Sequence, residues 1–78
     1  MLRFTKFRVG LIGPEIAVYA ADIVAIEQAA FDPHENRWRS RLHLRGGSTL
    51  DVAEYYHHVL ETVNSAHLTA AAAGSPVK

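Results

Sequence analysis

The sequence predicts an α+β domain: a small antiparallel β-sheet of four or five strands, with one C-terminal amphipathic helix packed on one face. Three observations carry that expectation. In RWRSRLHLR (37–45), Arg37, Arg39, Arg41, His43 and Arg45 alternate with Trp38, Ser40, Leu42 and Leu44, the period of a strand with one wet face. Gly46-Gly47 follows as a two-residue hairpin turn. In AEYYHHVLETVNSAH (53–67) the period changes: Tyr56, Val59, Leu60 and Val63 recur at i, i+3, i+4 and i+7, the apolar stripe of a half-buried helix.

The remaining elements follow in order. LRFTKFRV (2–9) is rich in aromatic and branched residues and is stopped by Gly10, so it reads as a first strand. GLIGP (10–14) is expected to turn, because its glycines accept positive φ and Pro14 cannot donate to a ladder. EIAVYA (15–20) then makes a second strand with Ile16 and Val18 on one face, closing a hairpin. In AADIVAIEQAAF the alanines favour helix while Ile23, Val24, Ile26 and Phe31 favour strand. Val24 and Ile26 alternate with Ala25 and Glu27, which places a tight turn at 20–22 and a third strand over 23–30. DPHEN is a polar loop. After the basic strand, STLDV returns as a fifth strand with Leu50 and Val52 facing in. Asp51 and Glu54 stand at capping-box spacing, with Asp in place of the usual Ser or Thr, and are expected to start the helix. The end, LTAAAAGSPVK (68–78), has no amphipathic pattern and is expected to form a flexible tail behind a single domain over 1–67.

A chain of 78 residues buries only about 60% of the surface that its unfolded form exposes, so its stability is marginal. Scaffolds of this size add disulfides, a structural metal or a second subunit. There is no cysteine, which removes disulfides and thiolate zinc sites, and self-association is the expected remedy. Apolar residues on both parities of the third strand, such as Ile23, Ala25 and Phe31 against Val24 and Ile26, point the same way, toward burial of both faces. The basic residues scattered through MLRFTKFRVGLIG leave no unbroken apolar core for an export signal. The apolar-looking run IAVYAADIVAIEQAAF is interrupted by Asp22 and Glu27, which are costly in lipid. A cytoplasmic protein without membrane insertion is expected.

The candidate site is the basic strand, with Arg37, Arg39, Arg41 and Arg45 as residues that contact a partner or an anion. Alternate side chains on a strand lie roughly 6.5 to 7 Å apart, near the spacing of phosphates along an extended single strand, and arginine grips phosphate bidentately. Against a nucleic-acid role stand a net charge of zero, from eight basic and eight acidic residues, and the inward parity of Trp38, which argues for packing rather than base stacking. Glu27 and Asp51 on the flanking strands are placed to pair with the ladder, and single Arg-to-Gln changes are then expected to matter little. Protein contacts are therefore the first expectation and nucleic acid the alternative.

Three further groups contain residue types that can carry chemistry. Glu54, His57, His58 and Glu61 lie along one side of the helix, but adjacent histidines diverge by about 100° around the axis and cannot converge on one ion. Gly10-Leu-Ile-Gly13 lacks the third glycine and following helix of a dinucleotide fingerprint, and none of the serines adjoins a credible base. No metal, no cofactor and no enzymatic activity are expected.

EIAVYAADIVAIEQA followed by RLHLRGGSTLDVAEYYHHVLETV resembles the small flagellar-operon proteins of the FlbD and SwrD type, over roughly residues 15–63. The matching positions are Ala21, Ile23, Ile26, Glu27, Gly46, Gly47, Val52 and Glu54; the FDPHENRWRS excursion, the basic ladder and the alanine tail are additions to the pattern. The resemblance implies a non-enzymatic accessory protein that acts through protein contacts.

Overall fold

The computed structural model describes residues 1–8 and 10–74, with side chains described through residue 68. Among these residues, five strands, β1 (Leu2–Arg8), β2 (Leu11–Val18), β3 (Ile23–Asp32), β4 (Arg37–Leu44) and β5 (Thr49–Tyr55), precede one helix, α1 (Tyr56–Gly74), and a 3-10 turn over Ala20–Asp22 links β2 to β3. The sheet order is β2-β1-β5-β4-β3, with every neighbouring pair antiparallel and α1 against it. This is the α+β architecture that the change of period predicts. Residues 75–78, the end of the expected tail, lie outside those described, and the helical backbone runs on to Gly74.

The core lies between the sheet and α1. Phe4, Val18, Ile23, Leu42, Val52, Val59 and Val63 are buried together, with Leu2, Ile16, Ile26, Leu44 and Leu50 around them. Each fully buried aliphatic side chain contributes on the order of 1.5 to 3 kcal/mol. Two valines of α1 supply the helix's share, whereas Tyr56 and Leu60 of the predicted stripe are only half-buried. Further along the helix, His67 Nε2 donates to the Ala20 carbonyl at 2.7 Å, fastening α1 to the 3-10 turn.

The strands depart from the expected boundaries for identifiable reasons. Leu11, Ile12, Gly13 and Pro14 belong to β2 rather than to a turn. Proline is tolerated because β2 is an edge strand, and the register shifts here, with Thr5 opposite Glu15 and Phe7 opposite Ile12. In β3 the register shifts between Ile23 and Ala25 and again between Ala29 and Phe31, where Ala30 takes φ 64°. The first shift puts Ile23 and Ile26 on the same side, opposite Leu44 and Leu42; the second brings Phe31 opposite Trp38. Bulges thus account for the mixed parities of this strand without a second buried face.

The helix begins at Tyr56, three residues later than its pattern suggests, because β4 holds the backbone of 53–55 in the sheet. Ser40 Oγ donates to the Glu54 carbonyl (3.0 Å), Arg39 donates to the Ala53 carbonyl (2.6 Å), and Arg39 stands opposite Tyr55. Asp51 and Glu54 consequently do not cap α1. The Glu54 carboxylate instead accepts the Thr5 N–H with both oxygens, at 2.9 and 3.0 Å, beside the single bridge, Lys6 opposite Val52, that joins β1 to β5. Among the described residues no helix is long and apolar enough to cross a membrane.

Candidate partner-binding surface

The basic ladder lies on β4, a central strand, with β3 and β5 on either side of it. Register sets Glu27 and Asp51 opposite Arg41 on its two neighbours. Arg41 donates to Asp51 through Nε at 2.7 Å and through a terminal nitrogen at 3.4 Å, and the hydrogen bond and charge of Asp51 raise the guanidinium pKa further. Glu27 is taken by His43, whose Nε2 donates at 2.7 Å. Arg45 stands 3.9 Å from Asp22 and donates to the Ala21 carbonyl at 2.9 Å, which ties the β4–β5 turn to the 3-10 turn.

Arg39 has the most extensive set of partners. One terminal nitrogen donates to the Ala53 carbonyl, the other to Asp32 at 2.9 Å, and the guanidinium lies 4.7 Å from the centre of the Phe7 ring and 5.2 Å from that of Tyr55. Asp32 is buried and fully engaged. One oxygen accepts the His34 and Glu35 N–H groups, forming the tight turn after β3, and the other accepts Arg39 and the Tyr55 hydroxyl (2.8 Å). The Tyr55 hydrogen bond is the main reason that the Asp32 carboxyl stays below its ordinary pKa, against the opposing effect of burial, with the two N–H groups and the Arg39 charge assisting. The same hydrogen bond, followed by burial and the Asp32 charge, pushes the Tyr55 phenol up. The sequence presents Asp32 only as the first residue of a polar loop. Its signal is a carboxylate set by the turn opposite Arg37 and within reach of Arg39.

Arg37 is different. It is exposed, with its guanidinium 5.1 Å from the centre of the Tyr55 ring, and among the described residues it makes no ion pair. Beside it, Trp38 is 43% exposed and meets Phe31 edge-on at 5.2 Å. Its even parity does place it with Ser40 and Leu42, but it sits at the rim, bordering a cleft of about 340 Å³ shared with Gln28, Arg37, Tyr56, His57 and Glu61. Trp38 is therefore not the core residue that alternation alone suggests.

Among the described residues, the other unpaired cations lie in the β1–β2 hairpin. Arg3 is 3.8 Å from Glu15, whereas Lys6 and Arg8, like Arg37, have no carboxylate partner among the described residues. Leu11 (73% exposed) and Ile12 (67%) stand beside them. Among the described residues no cluster of three or more metal-ligating side chains forms. Compared with protein-family models, with curated proteins and with solved structures, the chain matches none.

Proposed function

We propose that the chain is a non-enzymatic binding or adaptor module of the cytoplasm that works as a homo-oligomer through protein–protein contacts. The observation that supports this reading most strongly is the placement of large exposed apolar side chains at both free edges of the sheet: Leu11 and Ile12 on β2, Val24 and Phe31 on β3, with Trp38 beside Phe31. A free edge with apolar side chains is suited to another polypeptide, through side chains at either edge and through backbone pairing as well along β3. For self-association we favour the β3 edge, where residues 25–29 run between two bulges with Val24 and Phe31 at the ends. The modest core, a cluster of seven buried residues among those described, fits a fold that gains from a second subunit. The resemblance to small flagellar-operon proteins supports the same class of role.

Nucleic-acid binding by the ladder is the less favoured reading. To reach phosphates, Arg39 would leave a carboxylate whose side chain is only 10% exposed, and Arg41 would leave Asp51. An uncompensated buried charge is costly. Light scattering tests the preferred reading: at high micromolar concentration the protein should exceed its monomer mass of 8.6 kDa, and a Val24→Asp, Phe31→Asp variant that keeps its circular dichroism should fall to that mass. A parent protein that remains at 8.6 kDa would rule out the oligomer.

A further inference from the structure

Arg39, Arg41 and Arg45 of the basic strand are bound within the molecule, and among the described residues Arg37, Lys6 and Arg8 are left without acids. Residues 1–14 contain Arg3, Lys6 and Arg8 and no acidic residue; the first is Glu15, which Arg3 approaches. Lys6, Arg8, Leu11, Ile12, Gly13 and Pro14 line one concavity of about 430 Å³. Ile12 also lines a second concavity, of about 410 Å³, together with Arg37, Tyr55 and His58. Ile12 is thus the ridge between two hollows, with Lys6 and Arg8 on one side and Arg37 on the other. All three cations left unpaired among the described residues border one strip of exposed aliphatic surface.

We infer that this strip is a docking surface for an acidic peptide segment that carries aliphatic or aromatic side chains, a deepening of the protein-binding reading above on which it rests. Charge complementarity selects an acidic partner, because three cations border the strip against one carboxylate lining either hollow, Glu54, which is held by the Thr5 N–H. The exposed Leu11 and Ile12 demand apolar groups between the acids. Backbone pairing along β2 is not what holds the segment: Pro14 has no N–H and the register is broken at Gly13, whose added Cβ would lie 3.4 Å from the Lys6 backbone and side chain. Recognition therefore rests on side chains entering the two hollows, as an amphipathic helix does in a groove. A surface concave on both sides of its aliphatic ridge suits a peptide better than a flat bilayer.

The test uses the full chain and three fluorescent peptides of equal length: one with Glu and Leu at amphipathic helical spacing, one with Glu and Ser in the same positions, and one with Lys and Leu. The Glu/Leu peptide should bind saturably and more weakly as salt rises, with backbone amide shifts concentrated at Arg8, Leu11 and Ile12. Lys6→Gln with Arg8→Gln should weaken it by about tenfold or more, and so should Leu11→Ser with Ile12→Ser. No saturable binding, equal binding of the Glu/Ser peptide, or shifts confined to another surface would overturn the inference. Preferential binding to phosphatidylserine vesicles, abolished by the same variants, would overturn it in favour of a lipid surface. Loss of oligomerisation in those variants would instead identify a second copy as the occupant and also overturn it. Light scattering on the Val24→Asp, Phe31→Asp variant reports separately on the oligomer, so failure of the peptide site and failure of the oligomeric reading can be told apart.

Discussion

At the scale of single residues, Asp32 joins more of the molecule than its place in a loop suggests. It receives two backbone N–H groups, Arg39 and Tyr55, and so fastens the β3–β4 turn to β4 and β5. Its depressed pKa has a definite sign: the stabilisation is present above the unfolded carboxyl value and is lost as pH falls through the lower folded value. The raised Tyr55 pKa acts at the other limit, contributing below the unfolded phenol value and lost as pH rises through the higher folded one. Denaturant unfolding across pH should accordingly show an acid limb that Asp32→Asn flattens. Tyr55→Phe, by removing the largest cause of the shift, should move that limb to higher pH; an unmoved limb would contradict the assignment. The arginines should then rank unequally. Arg39→Gln should destabilise most, because it strands a buried carboxylate, and Arg41→Gln less, at a pair about 40% exposed on both sides. Arg37→Gln should change stability least. Equal effects of all three would show that the ladder is uniform, as its spacing alone suggests. Alternation exposes the wet face of β4 in the sequence, but not which arginine meets which acid: that depends on turns and bulges outside the strand.

At the scale of elements, the patterns that read most clearly are those in which one period runs unbroken. Arg39, Arg41 and His43 keep the alternation of β4, and Gly46 and Gly47 take φ 94° and 98° in the turn after it. The β1–β2 hairpin and the turn over 20–22 are likewise legible. What the periods hide are the bulges: an inserted residue at Val24 or Ala30 reverses the parity of everything after it. The helix start was obscured for another reason, since Asp51 and Glu54 have cap spacing but are claimed by Arg41 and Thr5. The stripe of α1 is real, yet its weight lies on Val59 and Val63 rather than Leu60. Leu42→Ala, at a fully buried site of β4, should cost about 2 to 5 kcal/mol in denaturant unfolding. Leu60→Ala should cost less than Leu42→Ala, and the reverse order would place the core on the wrong side of the helix.

At the scale of the whole molecule, a net charge of zero conceals an uneven distribution. The β1–β2 hairpin carries unpaired Lys6 and Arg8 beside exposed aliphatic residues, while the β3–β4–β5 meander, Arg37 apart, sets its bases against acids on the neighbouring strands. A self-neutralised face attracts neither phosphates nor other polyanions strongly, which leaves the edges and the hairpin as the surfaces that meet other molecules. Arg39 and Arg41 of β4 hold the sheet together, and the basic strand is not a phosphate track. Fluorescence polarisation with mixed-sequence DNA and RNA, titrated with salt, tests it most directly. No saturable binding is expected at physiological ionic strength, and only weak binding at low salt. Micromolar affinity with a log–log salt slope of about three or more, reduced by roughly one for each of Arg37, Arg39 and Arg41 changed to Gln, would contradict it.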